Sequence, residues 1–354
     1  MKALITAGGH GTRLRPITHT QNKHLIPIAN KPILNYALEY VRDAGIREVG
    51  IITNKEGGEV KEVYGDGSAL GLHITYIPQD TPAGLAHCVK IAEPFIKGET
   101  FVFYLGDNII VGGIKRFIEE FEKSNTNCHL VLAKVPDPER FGVPEIKDGR
   151  IVKIVEKPQK PMSDFAVTGI YIYDSHIFEA VNNIQPSPRG ELEISDAHQY
   201  LLEKGYRVTF SEITGWWKDT GKPNDLLEAN RLVLDNITTR IDGEVDQESN
   251  VTGRVIIEKG AKISNSNLRG PIIIGAGSKI INSYIGPYTS IDKNCLIEAT
   301  EIEFSIISSG CVIQNQSIRI EASLLGKDVH ILRANSKPLV NRFIVGDQSQ
   351  IEIR

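Results

Sequence analysis

Ala3-Leu4-Ile5-Thr6-Ala7-Gly8-Gly9-His10-Gly11-Thr12-Arg13-Leu14-Arg15-Pro16 is a short apolar run that empties into a glycine-dense turn with bases at its exit. An apolar run of this length, closed by Gly8-Gly9, reads as a strand buried on both faces, which is the parallel-sheet pattern. The glycines let main-chain N–H groups converge on an anion with no Cβ in the way. The spacing is neither GxxxxGK[ST] nor GxGxxG. On residue types alone the turn is therefore a nucleotide site or simply a tight strand exit. From Met1 to Leu38 there is no Asp or Glu, while Lys2, Arg13, Arg15, Lys23 and Lys31 fall in that stretch. A local anion site is predicted within a chain whose formal net charge is -4.

Outward from the turn, apolar and amphipathic runs alternate. A helical run from Pro32 stops near Gly45, and strands are predicted at Val49–Thr53, Ile74–Ile77 and Phe101–Leu105. A helix is expected from Ala83, strands at His129–Val135 and Val167–Tyr173, and helices over 194–204 and 223–236. Strands alternating with helices argue an α/β sheet. After Thr238 the helical period ends and aliphatic residues recur six apart: Val251, Ile257 and Ile263; Ile274 and Ile280; Ile285, Ile291 and Ile297; Ile307 and Ile313; Leu325 and Ile331; Val345 and Ile351. A sandwich of alternating strands would show period two. The observed period is that of a left-handed parallel β-helix whose flat sides each turn one aliphatic residue inward. Gly275, Gly286, Gly326 and Gly346 are expected at its corners, with looser coils near 265–271 and 335–342. The predicted domains are 1–238 and 239–354.

Length and composition agree with two domains, since single cores stop growing near about 250–300 residues and this chain has 354. Cys88, Cys128, Cys295 and Cys311 form no metal-ligand spacing, which predicts a reducing, cytoplasmic setting without structural zinc. No apolar stretch reaches a membrane span, and an acidic balance gives no general attraction to nucleic acid or anionic lipid.

The turn's GGxGTRLxP is followed by Lys23-His24-Leu25-Ile26-Pro27 and Lys31-Pro32. Together these resemble the sugar-1-phosphate nucleotidylyltransferases. The resemblance continues in order through Gln79-Asp80-Thr81-Pro82-Ala83-Gly84-Leu85-Ala86, similar to the base-reading segment of glucose-1-phosphate thymidylyltransferases, and Leu105-Gly106-Asp107-Asn108. Glu156-Lys157-Pro158, Val167 to Tyr171, Arg189 to Asp196 and Trp217-Lys218-Asp219-Thr220-Gly221 complete it. It covers residues 1 to about 235, and with the repeats appended it is similar to the family's long form. It implies a Rossmann-like nucleotidyltransferase domain with a mainly parallel sheet, ahead of the β-helix.

The implied reaction is attack of glucose-1-phosphate on the α-phosphorus of dTTP, with UTP as the alternative base, in the presence of Mg²⁺. By resemblance, Gly8, Gly9, Gly11 and Thr12 line the triphosphate, Arg13 stabilises the leaving pyrophosphate and Lys23 the α-phosphate. Gln79 and Gly84 read the base, and Asp107 and Asp219 hold the metal. Lys157 binds the sugar's phosphate, with Glu156, Glu191, Gly142, Thr168, Gly169 and Trp217 around the sugar. Arg15 and Lys31 read as solvated surface. The β-helix implies a homo-oligomer. Three other readings stand beside this one: a UTP- or GTP-using relative, a bifunctional enzyme whose β-helix is an acyltransferase with His330 as base, and a non-catalytic subunit. Arg13, Lys23, Asp107 and Asp219 are all retained, which argues against the last.

Overall fold

The apolar run at the N-terminus forms the strand Lys2–Thr6 at the heart of a nine-stranded sheet. It is flanked by Glu48–Asn54 and Phe101–Leu105, both parallel to it, and His73–Gln79 extends that parallel half to the edge. Leu4, Phe101 and Phe103 are sealed from solvent, as a strand covered on both faces requires. Beyond Phe101–Leu105 the sheet turns antiparallel through Phe165–Tyr173, which pairs with Cys128–Lys134 and reaches the hairpin Gly142–Lys147 and Arg150–Glu156. The computed structural model describes residues 1–54, 58–333 and 341–353. It resolves into two compact units, Met1–His10 with Leu34–Asp219, and Gly11–Ile33 with Thr220–Arg354.

In the first unit, helices Leu85–Ile91, His176–Asn183 and Ile194–Glu203 cover one face of the sheet through Val89, Ile177, Ala197 and Leu201. His198 lies fully buried there, its Nε2 2.6 Å from the Tyr173 hydroxyl. Burial alone pushes its pKa down to about 3, so the ring is neutral at any ordinary pH.

The second unit contains the β-helix, with the segment Gly11–Ile33 and the helix Pro223–Leu234 packed alongside. Three parallel sheets stack the repeat residues directly: Ile257, Ile274, Ile291, Ile307 and Leu325 in one, and Ile263, Ile280, Ile297, Ile313 and Ile331 in the next. The third sheet stacks Val251, Leu268, Ile285, Ile302 and Ile320, and it departs from the expected pattern. Its step from Ile263 falls on Leu268, five residues on, so the region expected to be a loose coil at 265–271 is a regular side with Leu268 only 1% exposed.

Gly275, Gly286 and Gly326 stand at corners as expected, each following one side and opening the turn into the next. Left-handed backbone positions fall on Asn265, Asn282, Asn294 and Asn315, whose short polar side chains tolerate that conformation, on Gly253, Gly260, Gly277 and Gly310, and also on Tyr288, Ala299, Phe304, Ala322 and Asp328. Gly275 is also a close approach, because a Cβ there would lie 2.5 Å from the main chain of Asp292 and Lys293 in the next coil. Val345 and Ile351 do not turn inward: the residues 341–353 have no regular structure, and Phe343, Ile344, Val345, Ile351 and Ile353 are exposed there. Gly346 shares that segment, directly before the turn at 347–348. Of the second expected loose coil, 335–340 lies outside the described residues.

Candidate active site

Asp107 follows the buried strand Phe101–Leu105, where the chain turns into the short strand Asn108–Ile110. That strand pairs antiparallel with Trp217–Asp219, setting Asp219 opposite Asn108, so the two aspartates from separate motifs come to adjacent positions. Asn108 organises both sides. Its Nδ2 donates to Asp107 Oδ1 at 2.9 Å, and its Oδ1 accepts from Trp217 Nε1 at 2.7 Å. Among the described residues no group of three or more His, Cys, Asp or Glu side chains could enclose a metal. A pair of carboxylates with no nitrogen or sulfur ligand fits a small hard cation that takes the rest of its shell from water and substrate oxygens.

The Trp217 indole also packs edge-on against Phe141, centroids 5.3 Å apart, and Phe141 leads into the hairpin that ends at Glu156. There Gly142 pairs with Glu156, and a Cβ on Gly142 would sit 2.5 Å from Ser195 Oγ and 3.4 Å from Glu156 Oε2. The Ser195 hydroxyl donates to Glu156 Oε2 at 2.7 Å while Lys157 Nζ lies 3.3 Å from Oε1, so both carboxylate oxygens are held. Lys157 takes a left-handed backbone conformation and donates its N–H to Phe141 O at 2.9 Å.

Thr168 and Gly169 lie not at a strand mouth but inside Phe165–Tyr173, where pairing to Cys128–Lys134 breaks between Val167 and Tyr171. Both are buried. The Thr168 hydroxyl is committed to Val131 O at 2.8 Å, and Gly169 makes room for the Leu105 side chain. Glu191 is half-exposed and ion-paired with Arg189 at 2.6 Å. Its neighbour Glu193 is buried, which pushes its carboxyl above the ordinary range against the pull of the Ser187 hydroxyl and Arg189.

The same run ties in the segment Gln79 to Ala86. Leu192 N–H donates to Ala83 O at 2.8 Å and Ala86 N–H to Leu192 O at 3.1 Å, clamping Gly84 between them. Gly84 has φ +98, and a Cβ would collide with the Leu192 carbonyl, so no other residue fits. Gln79 Nε2 lies 3.3 Å from Gly84 O and 3.1 Å from His87 Nδ1. Desolvation, then Lys90, lowers the His87 pKa, leaving a neutral ring whose Nδ1 accepts that amide. Gly8 and Gly9 follow the first strand, with Gly8 packed against the main chain of Thr53 and Asn54.

Gly11, Thr12, Arg13 and Lys23 belong to the second unit. Gly11, φ +60, starts the single turn Thr12–Leu14, and its carbonyl accepts the Thr18 hydroxyl at 2.7 Å. A Cβ on it would lie 2.9 Å from Lys23 Cβ, so turn and lysine are in direct contact. Thr12 and Arg13 are exposed. Lys23 is buried in the turn Lys23–Leu25, capped by Asn22, which accepts the His24 N–H at 2.9 Å.

Asn108, Phe141, Ser195, Leu192 and His87 were not identified from sequence. Asn108, Leu192 and Ser195 stand inside recognised motifs, so their neighbourhood was the available signal; the contacts of Phe141 and His87 exist only once the chain has folded.

The nucleotidyl transferase family profile matches residues 2–236. A glucose-1-phosphate thymidylyltransferase of Streptomyces griseus is 49% identical over 354 residues, spanning 100% of this chain and 99% of its own length. The low-salt glycan biosynthesis nucleotidyltransferase Agl11 of Haloferax volcanii is 45% identical, with both chains covered in full. A crystal structure from Bacillus anthracis, described as a glucose-1-phosphate thymidylyltransferase in complex with sucrose, superposes with a TM-score of 0.64 at 41% identity, covering 68% of this chain and 98% of that one.

Proposed function

The chain belongs to the nucleotidyl transferase family, and from that footing we propose that it transfers the thymidylyl group of dTTP to glucose-1-phosphate, giving dTDP-glucose and pyrophosphate. The observation that carries the reading is identity of 49% along the whole chain to a protein named for that reaction. A phosphate oxygen of the sugar forms a bond to the α-phosphorus while the bond from that phosphorus to the bridging oxygen of the leaving group breaks, its electron pair departing with pyrophosphate. The attacking phosphate is already ionised near neutral pH, so no protein base is needed. The difficulty is bringing two anions together, and catalysis rests on positioning and charge.

Gly8, Gly9, Gly11 and Thr12 offer main-chain N–H groups to the triphosphate, and the Arg13 guanidinium takes the charge that grows on the departing pyrophosphate. Lys23, a point charge on a buried stem, neutralises the α-phosphate. Gln79 and Gly84 meet the pyrimidine, and Lys157 holds the sugar's phosphate. Glu156 and Glu191 accept from its hydroxyls, while Gly142, Thr168, Gly169 and Trp217 shape the sugar pocket. Asp107 and Asp219 would hold Mg²⁺, which when bound neutralises charge on the nucleotide phosphates.

The test is pyrophosphate release with glucose-1-phosphate and Mg²⁺, run in parallel with dTTP, UTP, GTP, CTP and ATP. The expected result is the highest kcat/KM with dTTP, and a UTP lead would replace the base assignment, since the two bases differ by a methyl worth about 1–3 kcal/mol. Release with none of the five from folded protein would replace the enzyme by a structural subunit.

In this reading residues 1–238 are catalytic and 239–354 serve assembly into a homo-oligomer, a role supported by the exposed Phe343, Ile344 and Val345. Sedimentation of the full chain at micromolar concentration should show a multimer, and a monomer there would remove that role. The four free, buried thiols suit a reducing cytoplasm, and among the described residues no helix is long and apolar enough to cross a membrane.

A further inference from the structure

Asn230 lies within the helix Pro223–Leu234 and is 0% exposed, an unusual place for a carboxamide unless its polar atoms are occupied. They are. Its Oδ1 accepts the Ala29 N–H at 2.8 Å and the Ser290 hydroxyl at 3.0 Å, and its Nδ2 donates to Tyr288 O at 3.0 Å. One side chain thus joins the 11–33 segment to a coil of the β-helix. Beside it, Asn30 Nδ2 donates to Ile291 O at 2.7 Å, one residue beyond the same Ser290. Ala29 and Asn30 are the left-handed tip of a tight hairpin between Pro27–Ile28 and Lys31–Pro32. Earlier in the segment, the Ile17 side chain reaches the β-helix two coils further on, 3.8 Å from where a Cβ on Gly326 would stand.

The segment so anchored is the one that carries Arg13 and Lys23. From the hairpin the constraint passes through Ile33 N–H to Ile26 O at 3.1 Å, then through Ile26 N–H to Lys23 O at 3.2 Å, which closes the lysine's own turn. Resting on the assignment of Lys23 and Arg13 above, we infer that Asn230 and Asn30 are positioning residues: the β-helix coil 288–291 fixes the phosphate-binding segment, so the repeat domain takes part in nucleotidyl transfer as well as in assembly. The sequence motifs place no role on either asparagine. The physical reason for a carboxamide is that it can accept from two donors and donate to a carbonyl at once, which neither Ala nor Asp can do without leaving a buried group unpaired. Misplacement of a catalytic group by a single ångström costs on the order of a hundredfold in rate. A loosened hairpin should therefore be visible in kcat.

The experiment compares full-length Asn230→Ala, Asn30→Ala and Lys23→Ala with Ile280→Ala, a cavity in the β-helix core. Ile280 stacks in a different sheet from the anchoring coil. Both asparagine variants should lower kcat with dTTP by about tenfold or more while KM for glucose-1-phosphate stays within about twofold. Ile280→Ala should lower the melting temperature and leave kcat near wild type. In the Lys23→Ala background, Asn230→Ala should cost no more than about twofold further, because the two act through one group. Amides of residues 26–30 should exchange faster in the asparagine variants and not in Ile280→Ala. Wild-type kcat and exchange in both asparagine variants would overturn the inference, as would losses matching Ile280→Ala or full additivity with Lys23→Ala. If Asn230→Ala fails to fold, Asn30→Ala alone carries the same outcomes. A wild-type protein without transferase activity would instead remove the functional reading, and the exchange measurement would still decide whether the coil holds the segment.

Discussion

Asp107→Asn should lower kcat by on the order of a thousandfold at fixed Mg²⁺ while the melting temperature stays within a few degrees of wild type. The substitution is isosteric, and the new amide oxygen can still accept from Asn108 Nδ2, so the turn after Phe101–Leu105 keeps its hydrogen bond. What it loses is one of the two negative charges that the ribbon pairing brings to adjacent positions. With one carboxylate left at Asp219, a hard cation is held more weakly, so the Mg²⁺ concentration for half-maximal rate should rise as kcat falls. Asp219→Asn should reproduce both changes. Unchanged kcat and unchanged Mg²⁺ dependence in Asp107→Asn would remove the pair from the metal role. A cooperative loss of folding without a metal effect would instead make the aspartate a turn-former, the common fate of Asp before Asn.

This ribbon shows how far the sequence could be read. Leu105-Gly106-Asp107-Asn108 and Trp217-Lys218-Asp219 each announce an aspartate at a turn, yet their adjacency depends on two three-residue strands too short to give any period. The buried strands were legible because apolar runs closed by glycines leave few alternatives. The hairpin 142–156 was not, since Pro144 and its charged neighbours argue against a strand. The fold tolerates Pro144 because on that side only Gly142 meets another strand, at Val167. The repeat domain was visible as a period, but a strict six could not anticipate the five-residue third side at Leu268, which comes from how a corner is cut rather than from residue type. The residues assigned to phosphate and metal stand in motifs, whereas the hydrogen bonds of Leu192 and Asn230 run to distant main chain. A buried asparagine in an amphipathic helix looks like any surface asparagine until its partners are placed.

Arg13→Ala should lower forward kcat with dTTP by about a hundred- to a thousandfold, the range for removing a charge donor aimed at a developing anion. The turn that bears it does not need the side chain. Arg13 is exposed, and the turn is set by Gly11 at φ +60 and by the bond from Leu14 N–H to Gly11 O at 2.8 Å, both untouched by the change. Because the guanidinium is assigned to the leaving pyrophosphate and not to the sugar phosphate, KM for glucose-1-phosphate should hold within about twofold. The reverse reaction separates this from a general loss of binding. There pyrophosphate is a substrate, and its KM should rise at least as steeply as forward kcat falls. Arg13→Lys should recover part of kcat, since the charge is restored, but less of the pyrophosphate affinity, since an ammonium cannot grip two oxygens in a planar fork. If Arg13→Ala instead raises KM for glucose-1-phosphate and leaves pyrophosphate unaffected, the arginine serves the sugar's phosphate, and charge on the leaving group must be met by Lys23 and the metal.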